Sequence, residues 1–364
     1  MENFDNQDHS AMMEEESDEI GKSSELTEEI MIQLKRNDPN VKSILVCWKE
    51  NGYINSVDWE AGGGCIGDNS HLKKLELKIS ENFYLEEDED EDGHQIEGGA
   101  KERFEAFCKG LARNRSIKIL DISMCNSTPM LIEIVAPFFE HNSNLSHLIM
   151  DSCTLDSETT RMLALALSNR LKKCSLRKVE LIGCAIGGQE SGKLIASLND
   201  YDNLVELCLG ANEVGLSGCI ELGNLLRNPN SRLNELRIDD NNIDDECIAV
   251  LANALQLNNN LKAISLSHSL SVTVAGWRSF SAVLRDPNCT LEALYLSETS
   301  LDDDAASEIG SALTDNSKLK ILDLRCNDMI SPEGWSRFFE RSLSPVSALE
   351  DINLSENEID AEAV

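Results

Sequence analysis

Asp88, Asp90, Asp92 and Gly93 stand where positions 1, 3, 5 and 6 of an EF-hand loop would gather carboxylates and a sharp turn around Ca2+. Position 12 of that loop falls on Gly99, which cannot replace the bidentate Glu, so the run is read as solvated acidic chain that collects cations loosely. Gly62, Gly64 and Gly67 fit G-x-G-x-x-G, but a dinucleotide site needs a strand before and a helix after, and Leu72 opens a strand. Trp59, Gly62, Gly63 and Ile66 are read instead as the apolar stripe of an outer helix weakened by its glycines. Cys125, Cys153 and Cys184 follow a chain repeat rather than a zinc spacing, and His9, His71, His94, His141, His147 and His268 show no ligand spacing. There is no P-loop, H-E-x-x-H or G-x-S-x-G. The expectation is a protein that is not an enzyme and carries no cofactor or metal.

These residues are placed by a phrase, Leu-x-x-Leu-x-Leu-x-x-Asn/Cys, that recurs along the chain. Clear copies begin at Ile117, Leu145, Leu176, Leu204, Leu233, Leu261, Leu291, Leu319 and Leu349, and weaker ones at Val41 and Leu72, which predicts eleven strands. Within a copy, places one, four and six (Leu233, Leu236 and Ile238) turn inward from a short strand. Place nine holds Asn212, Asn241, Asn327 and Asn357, whose amides can satisfy the backbone of the turn. The three cysteines above hold this place in earlier copies and are read as ladder residues. Ser269 and Thr299 hold it near the middle, where weaker satisfaction is expected. Two places on, Leu155, Ile186, Val214, Ile243, Leu301, Met329 and Ile359 add a further apolar contact. A helix follows, as in Ile248, Leu251, Ala252 and Leu255, which share one face. Such a unit of about 28 residues cannot bury its apolar face alone, so the units must stack.

Gly218, Gly276 and Gly334 are 58 apart, as are Trp277 and Trp335, so the larger period is a pair of repeats. The two tryptophans are read as packed helix residues. From residue 41 to 364 the chain resembles the leucine-rich repeat proteins, and its long repeats of alternating length are similar to the ribonuclease-inhibitor type. That resemblance implies an α/β solenoid, a right-handed β-α superhelix shaped as a horseshoe, with a parallel concave sheet, outer helices and a protein-binding role. Relatives of this type include ribonuclease inhibitor, the Ran GTPase-activating protein and the sensor halves of nucleotide-binding immune receptors. The expected organisation is a disordered acidic segment over 1–24, a capping helix over 25–40 and a solenoid over 41–364. An acidic loop is inserted near 84–98, and the C-terminal end is read as open or truncated.

Arg170, Lys172, Lys173, Arg177 and Lys178 form a dense basic patch that could dock a partner, but Arg170 to Lys173 are read as the end of a helix where cations favour the dipole. Elsewhere acids dominate: 65 Asp and Glu against 32 Lys and Arg give a net charge of −33. Residues 1–24 and 86–92 contribute −7 each, so the repeats are acidic as well. Such a field opposes nucleic acid and anionic membranes and steers a basic or basic-patched protein partner. No apolar run approaches the length of a membrane span, no secretory leader is visible, and twelve scattered cysteines suit reduced thiols. A monomer in the cytoplasm, or in the nucleus, is expected.

The concave-face residues of consecutive strands give the candidate protein-binding set: Glu206, Glu235, Arg237, Asp239, Asp240, Tyr295, Glu298, Asp323 and Arg325. Trp48 and Tyr295 are the only aromatics on that face, so charge complementarity outweighs an aromatic hot spot. The leading reading is a non-enzymatic intracellular scaffold. GTPase activation on a Ran-like small GTPase is the alternative, and a Ca2+-responsive protein through residues 88–99 is a third.

Overall fold

The computed structural model describes residues 22–48, 59–79, 100–123, 132, 136, 139, 141–168, 175–342 and 347–359. The acidic run and calcium-like loop, Cys125, Arg170 to Lys173, residues 1–21 and the last five positions lie outside the described residues. Two compact units divide the chain, one of residues 1–150 with 170–174 and one of 151–169 with 175–364.

The first unit carries strands β1 (Ser24–Glu25), β2 (Ser43–Trp48), β3 (Lys74–Ile79), β4 (Ile119–Ser123) and β5 (His147–Asp151), paired parallel in chain order. Helices α1 (Glu28–Lys35), α2 (Trp59–Asp68) and α3 (Ala100–Leu111) pack in succession behind them. The capping helix expected over 25–40 is thus shorter. Thr27 extends its backbone and accepts the amide of Ile30, starting α1 at Glu28, and the preceding Ser24 and Glu25 pair with Ile44 and Leu45 as a strand. The glycines of α2 are contact points rather than weak links: a Cβ on Gly63 would lie 2.2 Å from the carbonyl oxygen of Phe107 in α3, and one on Gly110 would lie 2.3 Å from the Gly63 carbonyl carbon.

The second unit repeats the same strand-turn-helix unit more regularly. Its strands are β6 (Lys178–Ile182), β7 (Glu206–Cys208), β8 (Glu235–Arg237), β9 (Ala263–Ser265), β10 (Ala293–Tyr295), β11 (Ile321–Asp323) and β12 (Asp351–Asn353). All pair parallel in chain order, each residue facing its counterpart in the next copy. Helices α4 (Ser157–Ser168), α5 (Gly188–Leu198), α6 (Gly215–Arg227), α7 (Asp245–Leu255), α8 (Val274–Leu284), α9 (Asp303–Leu313) and α10 (Pro332–Ser342) form the other layer. The apolar places meet between the layers: Leu233, Leu236, Ile238, Ile248 and Leu251 are wholly buried, and Trp277 and Trp335 pack edge-on against Phe280 and Phe338.

Place eight of each copy from Leu145 onward is left-handed: Ser152, Gly183, Ala211, Asp240, His268, Glu298, Cys326 and Glu356 all have φ between 49° and 60°. Seven of these carry a Cβ, so the turn persists only because its surroundings fix it. The fixing group is the asparagine at place nine. Asn212 accepts the amides of Cys184 and Ile186 at 3.0 Å and donates to the carbonyls of Leu181, Leu209 and Gly210. Asn241, Asn327 and Asn357 repeat the pattern. Cys153 and Cys184 are buried at the same place, each thiol directed to the carbonyl two residues back, and a hydrogen bond with Cys153 together with burial pushes the Cys184 thiol far up. Of the two weaker places, Thr299 is satisfied by Leu296 and Asn327, whereas the buried Ser269 hydroxyl has no partner. Met329 is a correction to the apolar series. It is exposed, because the turn there holds one residue more and Ile330 is buried in its stead.

Helix starts are tied across repeats in the same manner. Asp303 accepts the amide and hydroxyl of Ser331, both at 2.7 Å, and a Cβ on Gly334 would stand 2.1 Å from that carboxylate. Asp245 does the same for Thr273 beside Gly276, 58 residues earlier.

Asn212→Ala leaves buried backbone groups of two repeats unpaired and is expected to lower unfolding stability by about 3 kcal/mol, against about 1 kcal/mol for Asn357→Ala at the half-buried end, read by urea titration. Gly63→Ala, which forces α2 from α3, is expected to cost about 2 kcal/mol in the same titration.

Candidate functional site

Strand register in the second unit turns the phrase into rows on the exposed sheet face. Place three gives Lys178, Glu206, Glu235, Ala263, Ala293, Ile321 and Asp351 across successive strands, and place five gives Glu180, Cys208, Arg237, Ser265, Tyr295, Asp323 and Asn353. Asp239, Ser267, Ser297 and Arg325 leave the strands at place seven.

The sequence-derived residues therefore fall into two groups. Glu206, Glu235, Arg237 and Asp239 cluster on β7 and β8, joined by Lys178 and Glu180 of β6, which sequence reasoning had not included. Lys178 reaches Glu180 and Glu206, both at 3.2 Å, and Arg237 grips Glu235 at 2.5 Å. Tyr295, Asp323 and Arg325 form the second group on β10 and β11. Between them runs a floor of small side chains, Ala263, Ser265, Ser267, Ala293 and Ser297, all buried. Asp240 and Glu298 stand apart from both groups at the left-handed turns beyond the strands, where Glu298 lies 3.4 Å from His268. Trp48 belongs to β2 of the first unit.

Burial shapes the charges of this face. It raises the carboxyls of Glu206, Asp239 and Asp323 above their usual range, outweighing Lys178 beside Glu206 and the hydroxyl that Ser265 donates to Asp239. Burial likewise lifts the Tyr295 phenol. For Arg237 burial opposes the cation, and Glu235 more than restores it. Such carboxylates are poised to accept a cation, since an arriving ammonium or guanidinium favours their charged form. Among the described residues no group of three or more His, Cys, Asp or Glu is arranged to hold a metal, and no helix is long and apolar enough to cross a membrane.

The strand-entry edge of the same unit carries a second charged column, at place two. Glu292 lies between Lys262 at 2.9 Å and Lys320 at 2.7 Å, and these two ammonium groups, Lys320 foremost, hold its carboxyl down at about 2. The depressed folded value means that this interaction is present above the unfolded Glu range and lost as pH falls toward 2. In wild type the interaction, screened by solvent, should contribute about 1 kcal/mol at pH 6 that disappears between pH 5 and 2, and Glu292→Gln should remove that part of the acid dependence of the melting temperature.

Comparison with known proteins agrees with this architecture. A family model described as Leucine Rich repeat matches residues 315–338. NACHT, LRR and PYD domains-containing protein 5 of Mus musculus is 28% identical over 222 residues, which cover 60% of this chain and 19% of that protein. Protein 14 of the same series in Homo sapiens is 25% identical over 258 residues, covering 71% of this chain and 23% of the relative. The chain thus spans well under half the length of these curated relatives. Among solved structures, one described as the crystal structure of Rad7 and Elc1 complex in yeast superposes with a TM-score of 0.50 at 15% identity, covering 88% of this chain and 70% of that one. That likeness speaks for the fold alone. With strand-turn-helix units in register, an amide ladder through their turns and a family model matching one copy, the chain has the architecture of leucine-rich repeats.

Proposed function

We propose that the second unit is a protein-binding module whose partner presents a basic patch to the sheet face. The observation that carries this reading is the pair of charged groups, Glu206–Glu235–Arg237–Asp239 and Tyr295–Asp323–Arg325, flanking a floor of small buried residues. The acidic total charge supports long-range steering of such a partner, with association rates that fall as salt is added. We further infer repeats of the ribonuclease-inhibitor type, supported by a helix after each of the strands β6 to β11 and by the 58-residue double period. A reducing compartment is supported by twelve cysteines scattered along the chain without close pairs. In this role the protein acts by binding, without a reaction of its own.

The test is capture of partners by the purified chain and by a Glu235→Lys, Arg237→Glu, Tyr295→Ala variant whose circular dichroism matches the parent. Proteins held by the parent and lost by the variant, and released as salt rises, are expected. Equal retention by both chains would sink the reading. Capture should also weaken as the pH is lowered through the raised range of Glu206, Asp239 and Asp323, because protonation removes the charge the cation needs; a pH-independent interaction would be carried elsewhere.

A further inference from the structure

The strand-entry edge of the first unit carries the same column as Lys262, Glu292 and Lys320, with a different charge pattern. There place two reads Lys42, Lys73 and Lys118, bonded in succession through their backbones: Lys42 accepts the amides of Lys73 and Lys74, and Lys73 those of Lys118 and Ile119. Adjacent strands lie about 4.8 Å apart, so this edge stacks like charges where the second unit alternates them. Among the described residues, no carboxylate pairs with Lys42 or Lys73. In a chain with twice as many acids as bases, successive lysines at place two, Lys42 and Lys73 among them without a described carboxylate partner, are a departure that packing does not require.

Beside it lies a cleft of about 540 Å³ lined by residues 67–70, Lys73, Arg113, Arg115, Ser116, Lys118 and Asn144. Four cations line it against one acid, Asp68, which Arg113 meets at 3.3 Å. The second asparagine row of the fold makes its walls. Asn114 donates to the carbonyls of Ile66 and Asn69 and accepts the amides of Ser116 and Ile117, fixing the loop that presents Arg113 and Arg115. Arg115 itself is braced through one guanidinium nitrogen, Nη1, on the carbonyls of Ala112 and Asn114. The hydroxyls of Ser70 and Ser116 are spent on Asn37, Asn69 and Asn114, so cations rather than hydroxyls must do the recognising.

We propose that this cleft binds a phosphate monoester. Excess positive charge in an open cleft attracts a dianion about twice as strongly as a carboxylate, and a braced guanidinium suits the tetrahedral oxygens. The volume admits a single phosphorylated group, while the acidic field of the whole chain opposes extended polyanions. The phosphate comes either from a free small molecule or from a phosphorylated side chain of a protein.

Titration calorimetry on the full chain decides this, with O-phospho-L-serine, a phosphoserine peptide, its unphosphorylated form and its aspartate-substituted form, all in matched chloride. Saturable heat from free phosphoserine identifies a small-molecule site. Heat from the phosphopeptide alone identifies a protein partner's side chain. In either case Lys73→Gln should weaken binding about tenfold with an unchanged melting temperature, since Lys73 braces nothing, and Arg115→Gln should add to the loss. No phosphate-dependent heat, equal heat from the aspartate peptide, or binding untouched by Lys73→Gln would each overturn the proposal. The sheet-face variant of the second unit should leave this binding intact, which separates the site from the protein-binding reading above.

Discussion

A side-chain amide at the exits of β7, β8, β11 and β12 is the interaction on which the remaining structure rests. After three residues of strand the backbone turns through a left-handed residue, and the turn leaves amides and carbonyls facing an apolar interior. One asparagine satisfies groups of two repeats at once. Asn212 holds the amides of Cys184 and Ile186 from the copy before, together with Leu209 and Gly210 of its own. The bond therefore spans the repeat spacing as well as closing the turn, and it keeps successive strands in register. Register in turn aligns Glu206 with Glu235 and Tyr295 with Asp323, so the chemistry of the sheet face follows from a buried amide. Sites where the amide is replaced show what it supplies: threonine at 299 retains partners, while serine at 269 is too short to reach any.

The inward places were legible because burial alternates with the pleat, and Leu233, Leu236 and Ile238 need no neighbour to be recognised. Features that depend on contact between repeats were not. Gly63 read as a weakness in a helix because the carbonyl that forbids a side chain there comes from another helix. Met329 read as buried because a fixed count from the first leucine cannot register one extra residue in a turn, and Ile330 takes its place. Ser24 and Glu25 have no apolar signature at all, and their strand exists through pairing with Ile44 and Leu45. A second row of amides at the strand entries also passed as ordinary turn composition. In that row Asn69, Asn114, Asn258 and Asn316 each accept the amide three residues on, and a constant offset from the first leucine was the available signal.

The candidate face was legible to a similar depth. Counting outward places recovers Glu206, Glu235, Arg237, Tyr295 and Asp323, because period two holds for the length of the strand. It fails at place eight, where the backbone is already left-handed, so Asp240 and Glu298 sit beyond the sheet rather than on it. Counting also cannot reveal which neighbours neutralise one another. Lys178 belongs to the acidic group through distances to Glu180 and Glu206 that only the paired strands create.

A fold that repeats one phrase in register converts each place of the phrase into a column, and the charge pattern along a column then distinguishes structure from recognition. At the strand entry of the second unit Glu292 stands between Lys262 and Lys320, its carboxylate is answered on both sides, and the three stabilise one another. On the face of that unit, carboxyls are drawn into partial burial at Glu206, Asp239 and Asp323, raising their protonation rather than finding full pairing. Selection for stability alone would favour the first pattern everywhere, since desolvating an acid without a counter-charge works against folding. The same place in the first unit stacks Lys42, Lys73 and Lys118 on adjacent strands, again against the preference of neighbouring like charges to separate. Both departures place charge where a ligand of opposite sign would complete it, and they do so with opposite polarity in the two units.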